Sequence, residues 1–436
     1  MSTVILGGGI IGTSIAYYLS ANQPEGEIHI VEQSPELFSA ASGYAAGFLA
    51  RDWFVPSLAP LGALSFDLHK ELAAGNDGQK NWGFMNGTAF NLDAVTRQRQ
   101  GAPPGDDWLQ TETSRAETAA GSDDPAPVEW PEWLTRRKEG MIERISQEGT
   151  VAQVDPLRLS RYLMDGAISR GAKLHHPAQA AALVKEADGT ITGVSIVSRD
   201  SKKESTIPCT TLVLSMGPWT PQVLKDLFPS STISLDISPL AGYSLVVRSP
   251  RYTLEHQRNV HRGQSHAVFT TLPSSYGFSP EIFLREGGEI YIAGLNPTIK
   301  LPSRAEDINR HFDPREMQKL KDVAVRLLGG LAKDTEEAAD ETTNLDDLET
   351  LREGLCFRPV GSTGVPTIGK IENLSLGGGT RASPRGGVFI AAGHGPWGIS
   401  LSLGTGKIIS EMIKKQKTSV DVTGLAVTGK GSISPL

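Results

Sequence analysis

The stretch Thr3–Gly12, TVILGGGIIG, runs from an apolar, β-branched segment straight into three glycines and back into apolar residues. A short apolar run that stops at a glycine reads as a buried parallel strand. Gly7, Gly9 and Gly12 form the spacing G-x-G-x-x-G, and Ile15, Ala16 and Leu19 then line one side of a helix expected to reach about Asn22. In such a turn the first glycine bends the chain, the second lets the backbone approach a diphosphate, and the third lets helix and sheet pack closely. Backbone amides and the helix N-terminus would hold the diphosphate.

The next segment supplies the context that a bare glycine pattern lacks. EIHIVEQ is a second alternating strand, and Glu32 at its end lies roughly 20 residues beyond Gly12, where a ribose-binding carboxylate belongs. An acidic side chain there would repel the extra phosphate of NADP. The unit does not by itself choose between NAD and FAD. SPELFSAASGYAAGFL follows, with Ser39, Ala41, Ser42, Gly43, Ala45, Ala46 and Gly47 in close succession. It reads as close-packed backbone with hydroxyls free to reach a phosphate.

The chain has 436 residues, so two domains are expected. A formal charge of -7 and no long Lys/Arg cluster give no footprint for nucleic acid. TRRKEGMIER carries its own glutamates and reads as a solvated helix face. Cys209 and Cys356 cannot build a disulfide framework and fit a reducing compartment. The opening MSTVILGGG shows no charged leader, its apolar residues stop short of a membrane span, and the terminal SPL departs from a peroxisomal address. A cytoplasmic protein without a transmembrane segment is the expectation.

Along the middle, APLGALSFDLHKELA reads as a helix and NDGQKNWGFMNGTAF as turns. Residues 97–133 are rich in Pro, Gly, Asp and Ser and read as a surface insert pinned by Trp130 and Trp133, with a protein-partner role as the other reading. Pro156 starts a helix that Gly171 ends, with Leu159, Leu163 and Ala167 at helical spacing. Thr211–Leu214 is an apolar strand whose following Met216–Gly217–Pro218–Trp219 would return backbone toward the same cofactor. Residues 220–300 are strand-like (SLVVRS, HAVFTTL, EIFLRE, EIYIAG) and suggest an antiparallel or mixed sheet. Pro314–Gly329 is an amphipathic helix with Met317, Leu320, Ala324 and Leu327 on one face, and DTEEAADETTNLDD after it reads as an exposed acidic link.

No metal site is expected: His175 and His176 are adjacent on a strand and point to opposite faces, and the other histidines lack ligand spacing. No P-loop lysine or G-x-S-x-G elbow is present. A bound flavin would supply chemistry that needs neither metal nor protein nucleophile. Late in the chain, GGVFIAAGHGPWGISLSLGTGKIISEMI is a strand, a glycine-rich bend and a helix. Gly393, Gly395 and Gly398 would let amides face a flavin carbonyl, and a helix starting near Ser402–Gly404 would aim its positive end at the ring. His394 is a candidate for a catalytic role or a buried loop histidine.

Taken in order, GGGIIG, Glu32, SAASGYAAG, VLSMGPW, GLCFRPVGSTGVPTIG and GHGPWGISLSLGTGK resemble the FAD-dependent oxidoreductase family of D-amino-acid oxidase, glycine oxidase and monomeric sarcosine oxidase. The resemblance covers nearly the whole chain. It implies an α/β FAD/NAD(P)-binding Rossmann-like domain plus a second α+β domain with a mostly antiparallel sheet. Residues 1–60, 145–220 and 350–436 would form the discontinuous FAD domain; 61–144 and 221–349 would form the substrate domain, including the 97–133 insert. An amine or amino-acid substrate would lose hydride from carbon to flavin N5, giving an imine that water hydrolyses, with electrons passing to oxygen or another acceptor.

In the glycine and D-amino-acid oxidases, the arginine of an LRP segment holds the substrate carboxylate, and Arg358 in FRP matches it. Sarcosine oxidase bonds a cysteine of the matching segment to the flavin, and Cys356 falls there, so a covalent link is one possibility and an unreactive thiol the other. Departures are the turn STGVP without aspartate, and Ser400 where sarcosine oxidase places a lysine. Trp397 would flatten the pocket, and Arg51 is a second anchor candidate whose other reading is a surface salt bridge. The catalytic candidates are therefore Arg358, Arg51, His394 and Trp397. The cofactor candidates are Gly7, Gly9, Ile10, Ile11, Gly12, Glu32, Gln33, Ser39, Ser42, Gly43, Ala45, Ala46, Gly47, Ala180, Gly217, Trp219, Cys356, Gly393, Gly395, Gly398 and Ile399. A flavin-binding protein with vestigial catalysis, acting in trafficking or assembly, is one alternative. An NAD-dependent dehydrogenase is the other, disfavoured by the late glycine-rich loop and the lack of an obvious acid–base histidine.

Overall fold

Val4 and Ile5 have no solvent exposure because their strand, Ser2–Leu6, lies inside a six-stranded sheet. In the computed structural model, which describes residues 2–21, 26–93, 128–138, 140–272, 276–331 and 344–427, this sheet runs 367–371, 387–392, 211–214, 2–6, 27–31, 173–175. Every pairing is parallel except the edge pair of Thr367–Ile371 with Gly387–Ala392. Both faces are covered by other elements, which is why Thr211–Leu214 and Gly387–Ala392 read as continuous apolar runs. The helices Ile10–Ala21 and Ser402–Ile413 cross at close range. A Cβ added at Gly406 would lie 2.6 Å from the Ser14 backbone carbon.

The second sheet has nine strands. Along its main path it runs 349–361, 237–248, 289–293, 281–285, 265–271, 85–93, 151–153, 48–50, and Met141–Arg144 pairs with Met85–Asp93. Only Ser265–Thr271 with Met85–Asp93 is parallel, so the expected mixed sheet is present. The strand period of two decides its faces. Leu245, Val247, Ile290, Ile292, Leu355 and Phe357 pack with Met317, Leu320, Ala324 and Leu327 of the helix Pro314–Leu328. Their alternates, including Val246, Tyr291, Ala293, Phe283 and Phe269, face the core that contains Ile5 and Phe48. Glu349–Gly361 pairs along its length with Ile237–Arg248.

Four local expectations change. TRRKEGMIER is not a solvated helix face: it holds the strand Met141–Arg144, and its Arg137 is buried. NDGQKNWGFMNGTAF holds a short helix, Gly78–Trp82, and a nine-residue strand, Met85–Asp93, rather than turns alone. Thr220–Leu227 is a helix within the stretch that reads as strands; Thr220, Leu224 and Leu227 bury one face of it. The acidic link is not wholly exposed: Asn344 is buried, donating to the carbonyls of Val325 and Arg326 at 3.0 Å, and Asp347 pairs with Arg251 at 2.7 Å. Its residues 334–343 lie outside the described residues, as do residues 97–127 of the insert. The insert's two tryptophans are described. Trp133 is fully buried, and Trp130 donates its indole N–H to Leu134 O at 2.8 Å.

Candidate functional site

The glycine turn builds one end of a cavity of about 450 Å3 lined by residues of both the six-stranded and the nine-stranded sheets, with Ala178–Ala180 of a separate three-stranded sheet. Gly7 and Gly9 line it together with Ile10 and Ile11. Gly12 does not, because it is spent on packing: a Cβ there would lie 2.0 Å from Gly7 O. A helix's first amides have no intrahelical acceptor. Here Ile10 N donates to Ser42 Oγ at 2.9 Å, so the small-residue loop closes over the glycine turn. Glu32 accepts from Gly8 N and Ser34 N, both at 2.8 Å, one on each carboxylate oxygen. Each oxygen keeps acceptor capacity for a diol.

Of the other candidates, Gln33, Ser39, Ala45, Ala46, Gly47, Ala180, Gly217, Trp219, Cys356, Gly395, Gly398 and Ile399 also line the cavity, as do Arg358 and His394. Gly217 and Gly395 have φ +54, and a Cβ at either would meet no protein atom within 4 Å. Their open sides belong to the cavity wall and give room for a group pressed against backbone.

Several candidates lie elsewhere. Gly43 packs against Phe38 O, and Gly393 is not on the wall. Arg51 pairs with Asp67 at 3.1 Å on the surface, the salt-bridge reading, so it does not anchor anything in this cavity. Trp397 is buried against Phe54, Phe48 and Trp53 instead of facing the cavity. Ser400 is buried and bonded to the backbone of Ala50. The helix start expected to face the ring is also off the wall, and Gly404 N donates to Ser65 Oγ at 3.0 Å.

The electrostatics follow from burial. His394 is pushed down to about 3 by desolvation, so its imidazole is neutral at physiological pH, 3.1 Å from Thr405 Oγ1. A neutral imidazole at this place is a polar part of the wall. The Cys356 thiol is pushed up by burial, against the pull of Arg358 and Arg352. Arg358 donates from Nη1 to Asn296 Oδ1 at 2.7 Å.

Met216, at the turn expected to return toward the cofactor, lines the wall with Ser215 before it; sequence reasoning missed Tyr291 and Glu281 on the wall, and Arg285 and His69 behind it. Arg285 Nη2 donates to Ala45 O at 2.7 Å and Ala46 O at 2.8 Å, and its guanidinium stacks on Tyr291 at 4.5 Å. His69 is fully buried; Nε2 donates to Ile399 O at 3.1 Å. The alternation in EIYIAG puts Tyr291 and Ala293 on one face, but nothing in the segment says which face meets the cavity.

The family model described as FAD dependent oxidoreductase matches residues 2–412. The chain belongs to that family. FAD, not NAD, is therefore the cofactor to test against the cavity, and the donor set fits it. Glu32 would take a ribose diol, the Ile10 helix end and Ser42 the diphosphate, and the Ala45–Gly47 and Gly395–Ile399 walls the ring. The chain is 26% identical over 435 residues to C1F5.03c of Schizosaccharomyces pombe, named as a candidate oxidoreductase, covering 94% of this chain and 93% of that one. Glycine oxidase of Geobacillus kaustophilus superposes with a TM-score of 0.67 at 19% identity, over 99% of each chain. Iminodiacetate oxidase of Chelativorans sp. BNC1 gives 0.67 at 17% identity, over 99% of this chain and 100% of that one. These two share the fold. Among the described residues, no helix is long and apolar enough to cross a membrane, and no group of three or more His, Cys, Asp or Glu could hold a metal.

Proposed function

We propose that this flavoprotein oxidises the C–N bond of a small amine that carries a carboxylate, with Arg358 as the carboxylate anchor. Bound FAD would supply the hydride acceptor, and oxygen or another acceptor would take the electrons onward. The observation that carries the reading is the state of Arg358. It lines the cavity, and among the described residues it has no carboxylate within ion-pair distance. Arg199, Arg251 and Arg315, by contrast, each have one. A guanidinium kept for a ligand suits a carboxylate because its planar fork offers two parallel N–H donors.

The rest of the chain supports the same reading. Phe48 of the wall packs into an apolar aromatic cluster with Trp53, Phe269 and Phe283. The glycine and iminodiacetate oxidases that share the fold are named for carboxylate-bearing amines. We read Cys356 as a wall residue beside non-covalent FAD, since burial disfavours the thiolate that a covalent bond would need.

The test is anaerobic reduction of the FAD-loaded protein by a panel of amino acids, N-substituted glycines and simple amines, followed by absorbance. Bleaching by carboxylate-bearing amines, lost in Arg358→Ala with FAD still bound, is the expected result. Equal reduction by amines lacking a carboxylate would overturn the anchor. No reduction by any of them would overturn the amine reading.

A further inference from the structure

We propose that Asn296 is the positioning residue for Arg358: its neutral amide holds the guanidinium in place without neutralising it. The proposal rests on Arg358 being the carboxylate anchor. Asn296 stands just past the strand Glu289–Ala293, where Gly294, at φ +127, turns the chain so closely that a Cβ would lie 2.6 Å from Ser279 O. Its side-chain N–H donates back to Gly294 O at 3.1 Å. That leaves Oδ1 for Arg358 Nη1, and since a guanidinium only donates, the amide orientation is unambiguous.

The surroundings are shaped to this pair. Arg358 sits opposite Leu240 on the neighbouring strand, and two residues on, Gly242 sits opposite Cys356. A Cβ on Gly242 would lie 3.0 Å from Arg358 Nη1 and 3.0 Å from Asn296 Oδ1, so the arginine head and the amide share the space a side chain would take. Further along the same segment, Pro302 O accepts from the Trp219 indole N–H at 2.8 Å, holding the segment against the loop that follows Thr211–Leu214.

The choice of asparagine matters chemically. An aspartate of the same shape would hold the arginine more strongly, but it would also cancel the charge that the substrate carboxylate needs. A long, flexible arginine left unheld would lose rotamer freedom on binding, weakening the ligand by that cost. A neutral acceptor avoids both losses.

The experiment uses the full chain loaded with FAD, titrated with acetate and with benzoate and read by the shift of the flavin absorbance band. Asn296→Ala is expected to weaken both probes about 5-fold, the loss of one ordinary hydrogen bond. Asn296→Asp is expected to weaken them by about 10- to 100-fold, even though the acceptor is retained. FAD content and melting temperature should stay at wild-type values in both. A purely structural asparagine predicts the opposite order, with aspartate the milder change, and that result would overturn the proposal. So would unchanged binding in both variants when Arg358→Ala is weakened. Unchanged binding in Arg358→Ala, or no saturable binding of either probe by wild type, would instead remove the anchor reading and this proposal with it.

Discussion

Ser42 Oγ accepts the backbone amide of Ile10 at 2.9 Å and thereby joins two loops 32 residues apart in the chain. The hydroxyl satisfies a donor at the start of the first helix and keeps its own proton free for a phosphate oxygen. It performs the service of an N-cap from a distant loop.

Ser42→Ala is therefore expected to lower the stability of the protein by about 1 kcal/mol, the usual scale of a lost cap or hydrogen bond. FAD affinity should fall as well, since the same atom would face the diphosphate. Urea unfolding and equilibrium dialysis of FAD check the two effects separately. Wild-type values in both would show that the contact contributes nothing.

Arg285 presents a larger effect. It is buried, stacks on Tyr291 and donates to the carbonyls of Ala45 and Ala46, which belong to the cavity wall. Replacing it with methionine roughly keeps the volume but leaves Ala45 O without this donor, whereas Ala46 O keeps Gln153 Nε2 at 2.6 Å. Arg285→Met should cost on the order of 1–3 kcal/mol. Arg285→Lys should recover only part, because an ammonium cannot make the planar stack. Chemical denaturation of both variants tests this, and a methionine variant as stable as wild type would contradict it.

Stability should fall steeply on mild acidification. Burial pushes His69 down to about 4, and His266 and His394 down to about 3. In the unfolded chain each titrates near its ordinary value of about 6.5. Between those values the unfolded state binds more protons, so stability is lost as pH drops below about 6.5 and is constant above about 7 for these groups. Each contributes a slope of up to about 1.4 kcal/mol per pH unit within its window. Urea midpoints from pH 7.5 to 4.5 should show uptake of more than one proton on unfolding, and a flat profile would sink the prediction.

Acid precipitation of the holoprotein should leave the yellow colour in the supernatant. Cys356 lies on the wall, yet its thiol is pushed up by burial and so is poorly placed to act as a thiolate. Colour that stays in the pellet of wild type and disappears from the pellet of Cys356→Ser would establish the covalent link instead.

Arg51 shows where reading the sequence stopped short. Its position just after the small-residue loop made it an anchor candidate, but the helix Ala59–Gly75 brings Asp67 within 3.1 Å and takes its charge to the surface. Arg358 had the same kind of claim, and the fold instead places it on the cavity wall beside a neutral amide. Trp397, next to the glycine bend, packs into an aromatic cluster with Phe48, Trp53 and Phe54. Neighbours along the chain do not decide such outcomes; neighbours across sheets do.

The sequence by itself determined the fold at the glycine-turn end of the cavity. The strand, the glycine turn, the helix and Glu32 lie within one local unit, where spacing translates directly into geometry. It also determined four of the nine strands of the second sheet, those holding SLVVRS, HAVFTTL, EIFLRE and EIYIAG, where alternation and turn residues are local signals. Only the tertiary structure decided which face of that sheet meets the cavity, and hence that Tyr291 and Glu281 line it. Only the tertiary structure, too, set Arg285 beneath Ala45 and Asn296 beside Arg358. The physical reason is that a strand's period of two names two faces but not which one is inward. Contacts between residues 62 or 240 positions apart arise from the packing of whole sheets, and no local pattern records them.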